Sequence, residues 1–498
     1  MVLDQDLQSI QETRDLIKKA KAAQKEYQCW SQTQVDKLVK AIADACIANA
    51  EPLAKMAEEE TGFGLWQDKT IKNLLGSKYV YDAIKDMKTV GIINDQRKEK
   101  GIIEIAVPLG VVAALIPSTN PTSTAMYKTL ISLKAGNAIV LSPHPNARRC
   151  ILETVRIMRN AAKEAGAPEG LIGCIENATV QATDTLMKHP DTGIILATGG
   201  SAMVKAAYSS GNPALGVGPG NGPAYIERTA DIPMAVKHIM DSKTFDNGTI
   251  CASEQSVVTE QCIKDTVMAE MKRQGGYFLD KAQSEKLEKV IMRSNNTMNP
   301  AIVGKSVQVI ARMAGIQVPE GTRVIVSEQT LAGPKYPYSR EKLCPVLAFY
   351  VEPDWESACE KCIAILENEG AGHTMTIHSQ NEDVIREFAL KKPVSRLLVN
   401  TAGALGGVGA TTNLAPALTL GCGSVGGSAT SDNVGPQNLF NIRRVAFGMR
   451  ELDDLRAQTK TPAPPCCCEP VKALAENDFT AADIETITRE VLKSLLNK

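Results

Sequence analysis

An α/β fold built on parallel sheets is what this sequence predicts, and three observations predict it. Short, nearly continuous apolar runs recur along the chain, among them "NAIVLSP", "TGIILATG", "RVIVSE", "VLAFYVE" and "SRLLVN". They alternate with segments of helical period such as "LETVRIMRNAAKEAG", and glycine or proline closes most of them. A strand covered on both faces reads as a continuous apolar run, and strand–helix alternation makes neighbouring strands parallel. In such sheets ligands are expected at the carboxyl ends of the strands.

From about Leu7 to Lys88 the apolar spacing is helical, as in "VDKLVKAIADACIANAEPLAKMAEEE". The period then changes. "GIIEIAVPLGVVAALIP" reads as two short strands around Pro108 and Gly110, "NAIVLSP" as a buried strand, "LETVRIMRNAAKEAG" as a helix closed by Gly166, and "TGIILATG" as a strand ending in glycines. "GLIGCIENA" and "PAYIE" are further strands. A second α/β block begins near Ala224 and runs through "RVIVSE", "VLAFYVE", "HTMTIHS" and "SRLLVN" to about Gly407. A chain of 498 residues exceeds what one core supports, and two α/β domains are expected, with no internal repeat.

The end of the chain differs in kind. "RAQTKTPAPPCCCEPVKALAEN" combines Pro, Ala, Thr and three cysteines without a period and reads as a linker. In "DFTAADIETITREVLKSLLNK", Thr480 and Asp483 have capping-box spacing, and Ile484, Ile487, Val491, Leu492, Leu495 and Leu496 fall on one helical face. An amphipathic helix on a tether either folds back on its own body or docks on another protein; the Pro-rich spacer favours a partner.

Charge and cysteine usage narrow the function. Lys and Arg number 55 against 56 Asp and Glu, interspersed, for a net charge of -1. That balance argues against a nucleic-acid or membrane partner and for a small-molecule substrate. The N-terminus has no basic stretch followed by an apolar one, and "VVAALI" is too short to span a bilayer, so a cytosolic protein is expected. There its 13 cysteines are reduced, which leaves metal, catalysis or core packing as their roles. Cys359 and Cys362 have C-x-x-C spacing but lie in a helical pattern without a second pair, which favours packing over a metal site. Cys466 to Cys468 fall in the linker. Cys251, in "FDNGTICASEQ", follows an Asn-Gly turn signal and precedes a new element, outside any apolar stripe. From the residues alone it is either a thiolate nucleophile or a buried structural cysteine.

Seven separated segments then agree in order with one family. "PSTNPTSTAMYKTLISLKAGNAIVLSPHPNA", "ATGGSAMVKAA", "GVGPGNGPAYIE", "FDNGTICASEQ", "EKLCPVLAFY", "AGHTMTIHS" and "LTLGCGSVGGSATSDNVGPQNLFNIRRVA" resemble the aldehyde dehydrogenase superfamily over roughly Leu7 to Arg450. The narrower resemblance is to its CoA-acylating members, those of bacterial microcompartments and the aldehyde dehydrogenase half of bifunctional aldehyde-alcohol dehydrogenases. This implies a nucleotide-binding domain over 1–222 with an oligomerisation hairpin at about 99–112 and a catalytic domain over 223–407. A return to the nucleotide-binding and oligomerisation strands would follow over 408–455, then a linker over 456–476 and a helix over 477–498.

The resemblance also implies roles. Cys251 attacks the aldehyde carbonyl. Asn120 and the Cys251 N–H receive the oxyanion, though Asn120 before Pro121 also suits a turn. Where hydrolytic relatives carry a water-activating glutamate, "VGPGNGP" has Val217. A valine removes no proton, so the acyl enzyme awaits the thiol of coenzyme A. Gly199, Gly200 and Ser201 present amides to a pyrophosphate, and Glu341 holds the nicotinamide ribose. Ser142 to His144 replace a ribose-binding lysine, leaving NAD as the expected nucleotide and NADP open. His373 is either a proton shuttle or CoA contact, or a structural histidine. The terminal helix resembles microcompartment encapsulation peptides, which implies shell or core proteins as partners of a homo-oligomer, dimer or tetramer. The rival functions are a CoA-using acyltransferase with a cysteine nucleophile and a non-catalytic microcompartment scaffold.

Overall fold

The computed structural model describes residues 4–459 except Asn296, and beyond them only residues 486, 488–490 and 493, which are helical. Of the linker expected over 456–476, residues 460–476 with Cys466 to Cys468 lie outside the described residues, as does most of the expected terminal helix. The chain divides into two compact units, Met1–Asp95 with Glu104–Arg444, and Gln96–Ile103 with Val445–Lys498.

The first unit opens with the helices Gln5–Tyr27, Gln32–Ala48, Ala50–Thr61 and Trp66–Leu74, the last continuing through a π turn, Leu75–Tyr79, into Val80–Ile84. Their starts and stops are chemical. Ser31 and Gln34 form a reciprocal capping box, and Gly62 ends the third helix at φ 62°. Val35, Leu38, Val39, Ile42, Ala43 and Cys46, the apolar face read in the sequence, are all buried.

Two large parallel sheets follow. The first has five strands in the order Ile172–Cys174, Ala138–Pro143, Val111–Ile116, Thr192–Thr198, Ala214–Val217. Every neighbouring pair is parallel. The chain enters at the central strand, builds outward on one side, then returns to the other, so the order reverses between Val111–Ile116 and Thr192–Thr198. At that seam the fully buried Lys128, from the helix Pro121–Lys134, donates to the Leu115 carbonyl at 2.7 Å and the Leu196 carbonyl at 2.8 Å, one on each strand. Burial holds its ammonium well below the usual lysine range.

The second sheet has seven strands in the order Gly276–Phe278, Val324–Glu328, Val346–Glu352, Ser256–Glu260, Pro223–Ile226, Gly372–His378, Val394–Val399, again parallel throughout. A third sheet takes Gly91–Gln96, Ile102–Pro108 and Phe440–Ala446 in that order. Pro108 and Gly110 do separate two strands, and the two belong to different sheets. In the second unit, the Phe447 N–H donates to the Gly101 carbonyl at 2.8 Å and the Arg97 guanidinium lies over the Phe447 ring. The helix Leu452–Thr459 covers the first residues of the stretch expected as linker. No helix among the described residues is long and apolar enough to cross a membrane.

Replacing Lys128 by Met strands two carbonyls at the seam, and part of that cost is offset because a buried amine is removed as well. Lys128→Met is expected to lower unfolding free energy by about 1–3 kcal/mol in urea titration. Stability equal to or above the parent would mean that the amine is no net clamp.

Candidate active site

Cys251 lies at the amino end of the strand Ser256–Glu260, on the turn that follows the helix Ile232–Thr244. That turn is bent by three successive residues in the left-handed region: Asp246 at φ 49°, Asn247 at φ 50° and Gly248 at φ 77°. Asp and Asn adopt this conformation more readily than other residues with a side chain, and Gly without cost. The "DNG" turn signal thus has a geometric basis. Opposite, Gly220 packs on the cysteine backbone so closely that a Cβ there would come within 1.7 Å of the Cys251 carbonyl oxygen. Among the described residues the Cys251 N–H donates to no carbonyl and faces its own sulfur.

A buried charge cluster holds the turn. The Asp246 carboxylate, with no exposure, accepts from the Leu65 N–H at 2.7 Å, Lys69 Nζ at 3.0 Å, Thr249 Oγ1 at 2.7 Å and Lys72 Nζ. Its own N–H donates to Asp68 Oδ2 at 2.7 Å. Against its burial, Lys72 and Lys69 hold the Asp246 carboxyl below the ordinary range. Gly64, at φ 72°, makes room: a Cβ there would stand 1.8 Å from Asp246 Oδ1. Burial brings the Lys72 ammonium down to about 8, with the Asp246 carboxylate opposing. Lys72 also donates to Asn120 Oδ1 at 2.7 Å, and Asn120 Nδ2 donates to the Thr249 carbonyl at 3.2 Å. Asn120 begins the helix Pro121–Lys134 without capping it through its side chain.

Glu341 precedes the strand Val346–Glu352 and accepts from the Gly220 N–H at 2.9 Å. Burial, then the nearby Glu369 carboxylate, push its carboxyl up to about 8. Burial pushes the Cys251 thiol up to about 12, and Glu341 and Cys422 add to this. The Arg396 guanidinium pulls the other way. Arg396 is buried, and its four hydrogen bonds go to neutral acceptors: Thr374 Oγ1, the Ser431 and Gly421 carbonyls and Asn433 Oδ1. His373, buried beside it, shares a 3.0 Å hydrogen bond between Nδ1 and Thr374 Oγ1, while Nε2 has no partner. Burial, then Arg396, bring its imidazole down to about 3, so it is neutral at physiological pH. A groove of about 730 Å³, lined by Gly372, Lys392, Cys422, Gly423, Ser428 and Thr430, opens alongside.

Of the expected nucleotide residues, all but Glu341 stand at the other sheet. Ser142 is the penultimate residue of the strand Ala138–Pro143, with Oγ 2.8 Å from Thr183 Oγ1, and His144 just past the strand is exposed, Nδ1 accepting from the Asn146 N–H at 3.1 Å. Gly199 and Gly200 follow the strand Thr192–Thr198, and Ser201 begins the helix Ser201–Tyr208. A Cβ at Gly200 would meet nothing within 4 Å, so its backbone faces open space. These residues and Asn120 stand at carboxyl ends of three adjacent strands, where ligands are expected. Cys251, Glu341 and His373 instead stand before the amino ends of theirs, or at them. The carboxyl-end expectation describes the five-stranded sheet alone.

Sequence reasoning did not find Lys69, Lys72, Asp246 or Arg396. On a helix, "WQDKTIKNL" reads as a solvated face, and Asp246 is part of the turn signal. Glu254 was also unremarked: buried, it accepts from the Gly403 N–H at 2.7 Å, and burial pushes its carboxyl up to about 7.

Two parallel sheets, a reversal of strand order in the first and a half-buried cysteine on a strained turn define an α/β protein with a candidate nucleophile beside its second sheet. The chain belongs to the aldehyde dehydrogenase family, whose model matches residues 5–403. It is 45% identical over 443 residues to the bifunctional aldehyde-alcohol dehydrogenase AdhE of Escherichia coli (strain K12), a match that covers 88% of this chain and 50% of that protein. The chain therefore spans about half of that relative's length. An acetylating aldehyde dehydrogenase from Geobacillus thermoglucosidasius is 53% identical, with TM-score 0.89, over 91% of this chain and 99% of the other. A propionaldehyde dehydrogenase from the Clostridium phytofermentans fucose utilisation bacterial microcompartment is 30% identical, with TM-score 0.80, over 88% and 97%.

Because burial pushes the Cys251 thiol up to about 12, its alkylation by iodoacetamide, followed by peptide mass spectrometry, is expected to quicken close to tenfold per pH unit from 7 to 9.5 without levelling. A plateau by pH 8 would contradict a thiol held protonated in the free protein.

Proposed function

We propose that this chain oxidises a short-chain aldehyde to its acyl-CoA, with NAD as the expected hydride acceptor, NADP the alternative, and Cys251 as nucleophile. The Cys251 sulfur attacks the carbonyl carbon, and the developing oxyanion meets the Cys251 N–H and Asn120 Nδ2. Loss of hydride from that adduct leaves a thioester on Cys251, and the CoA thiol then takes the acyl group. A nicotinamide, when bound, accepts the hydride. The open space over Gly200 at a helix start fits a pyrophosphate held by the amides of Gly199, Gly200 and Ser201, with Glu341 toward the ribose and Ser142 and His144 at the neighbouring strand end. On this reading 1–222 is the nucleotide-binding part and 223–407 the catalytic part of a homo-oligomer.

One observation carries the acylating reading. Val217, a buried strand end, stands where the family resemblance puts the water-activating glutamate, and the segment after it packs on Cys251 through Gly220. Of the buried carboxyls described above, Glu341 accepts from the Gly220 N–H and Glu254 from the Gly403 N–H through Oε1, while Glu254 Oε2 has no partner. Relatives named as acetylating support the same conclusion. His373, neutral and with a bare Nε2 next to the groove at Gly372, suits a contact to the acyl acceptor.

Nucleotide reduction is expected only when aldehyde and CoA are both supplied, and Cys251→Ser should abolish it. Asn120→Ala should keep the fold and lose about a hundredfold or more in turnover. CoA-independent release of carboxylic acid at a comparable rate would sink the acylating assignment.

The terminal residues 477–498 we assign to packing into a protein-shelled compartment, and shell or core proteins would be the partners. The stripe from Ile484 to Leu496 and the prolines before it support this, as does the microcompartment relative. Deleting 477–498 should leave specific activity intact and free the enzyme from sedimenting shells. Loss of catalysis on deletion would assign the segment to the enzyme's own fold.

A further inference from the structure

We propose that Lys72 is a positioning residue for the reaction: it fixes which face of the Asn120 amide, N–H or C=O, is turned to the reacting carbonyl. The inference rests on reading Asn120 as the oxyanion donor.

An asparagine amide can be placed in two orientations that differ by exchange of oxygen and nitrogen, and only one offers a donor to an oxyanion. At Asn120 the surroundings choose. Lys72 Nζ can only donate, and it faces Oδ1 at 2.7 Å. The Thr249 carbonyl can only accept, and it faces Nδ2 at 3.2 Å. A donor-only group on one side and an acceptor-only group on the other lock the amide; the other contact of Nδ2, to Thr119 Oγ1 at 3.4 Å, is at the long limit of a hydrogen bond and is the one a ligand's oxyanion would replace. With Lys72 gone, only the longer contact to the Thr249 carbonyl holds the amide, and orientations that turn its oxygen toward the developing negative charge gain population, which would oppose the reaction.

Lys72 is itself held. Its Nζ contacts the Asp246 carboxylate and Thr249 Oγ1 at 3.0 Å, and it is 2 % exposed. Thr249 Oγ1 donates in turn to Asp246 Oδ2 at 2.7 Å. One buried carboxylate thus ties the helix Trp66–Leu74, the Asn120 amide and the strained turn that carries Cys251 into a single arrangement. The left-handed Asp246 belongs to this device, because its backbone conformation swings the carboxylate back beneath the helix. A lysine kept only to neutralise Asp246 would not need the contact to Asn120, since Lys69 already reaches the same oxygen at 3.0 Å.

A double-mutant cycle on the full-length enzyme tests this, reading kcat and KM for aldehyde together with thermal unfolding. Lys72→Met is expected to lower kcat about ten- to hundredfold with little change in KM, the scale of losing one oriented oxyanion donor. The pair Lys72→Met with Asn120→Ala should be no slower than Asn120→Ala alone, because the lysine acts through the amide. Where Lys72→Met does not accumulate folded, Lys72→Gln, which keeps a polar group in the cluster, enters the same cycle. Losses that multiply in the double variant, or a near-normal kcat in the folded single variant, would overturn the inference while leaving Asn120 its role. A near-normal kcat for Asn120→Ala alone would overturn both.

Discussion

A carboxylate with no exposure to water, Asp246, is the interaction around which the candidate site is arranged. Burying an ionised carboxyl costs several kcal/mol unless opposite charge and hydrogen bonds surround it. Two lysine ammoniums, a threonine hydroxyl and a backbone N–H do so here, and they come from segments far apart in sequence. The left-handed backbone at Asp246 and Asn247 is strain that such a cluster can hold in place. Its consequence is a fixed turn for Cys251 and a fixed neighbour for Asn120.

The electrostatics around Cys251 are balanced between opposing tendencies. Desolvation and Glu341 favour the neutral thiol, while Arg396, a buried guanidinium held by carbonyls and hydroxyl or amide oxygens, favours the thiolate. His373 stays neutral beside that cation. In the free protein burial, with Glu341 and Cys422, weighs toward the neutral thiol. On the acylating proposal, the fate of an acyl group on Cys251 would turn on an absence: with Val217 in place of a base, water would be a poor competitor for a thiol.

Much of this was legible in the sequence. The two large sheets were visible as buried apolar runs, and the strands Ile102–Pro108 and Val111–Ile116 were recognised around Pro108 and Gly110. Ala214–Val217 and Gly276–Phe278 are not marked in the sequence: glycines interrupt "ALGV" and open "GYF", whereas the equally short Ile172–Cys174 and Pro223–Ile226 lie in the apolar stretches "GLIGCI" and "PAYI". At the site, Cys251 stood out through its turn signal and Asn120 through the order of the motifs. Lys72 did not, because a lysine at helical spacing looks solvated and its carboxylate partner lies 174 positions away. Arg396 was hidden in an ordinary strand, with its partners supplied by the loops at Gly421 and Ser431. Residue types announce a nucleophile; they do not announce which distant charge will be folded against it.

The central claim is that an acyl group resides on Cys251 and leaves to a thiol rather than to water. The direct measurement is intact-protein mass spectrometry with peptide mapping after mixing the enzyme with aldehyde and oxidised nucleotide, first without CoA and then with it. The account predicts an acyl adduct confined to Cys251 that persists in the absence of CoA and is discharged as acyl-CoA once CoA is added. No adduct at Cys251, or an adduct that water removes equally fast with and without CoA, would contradict it.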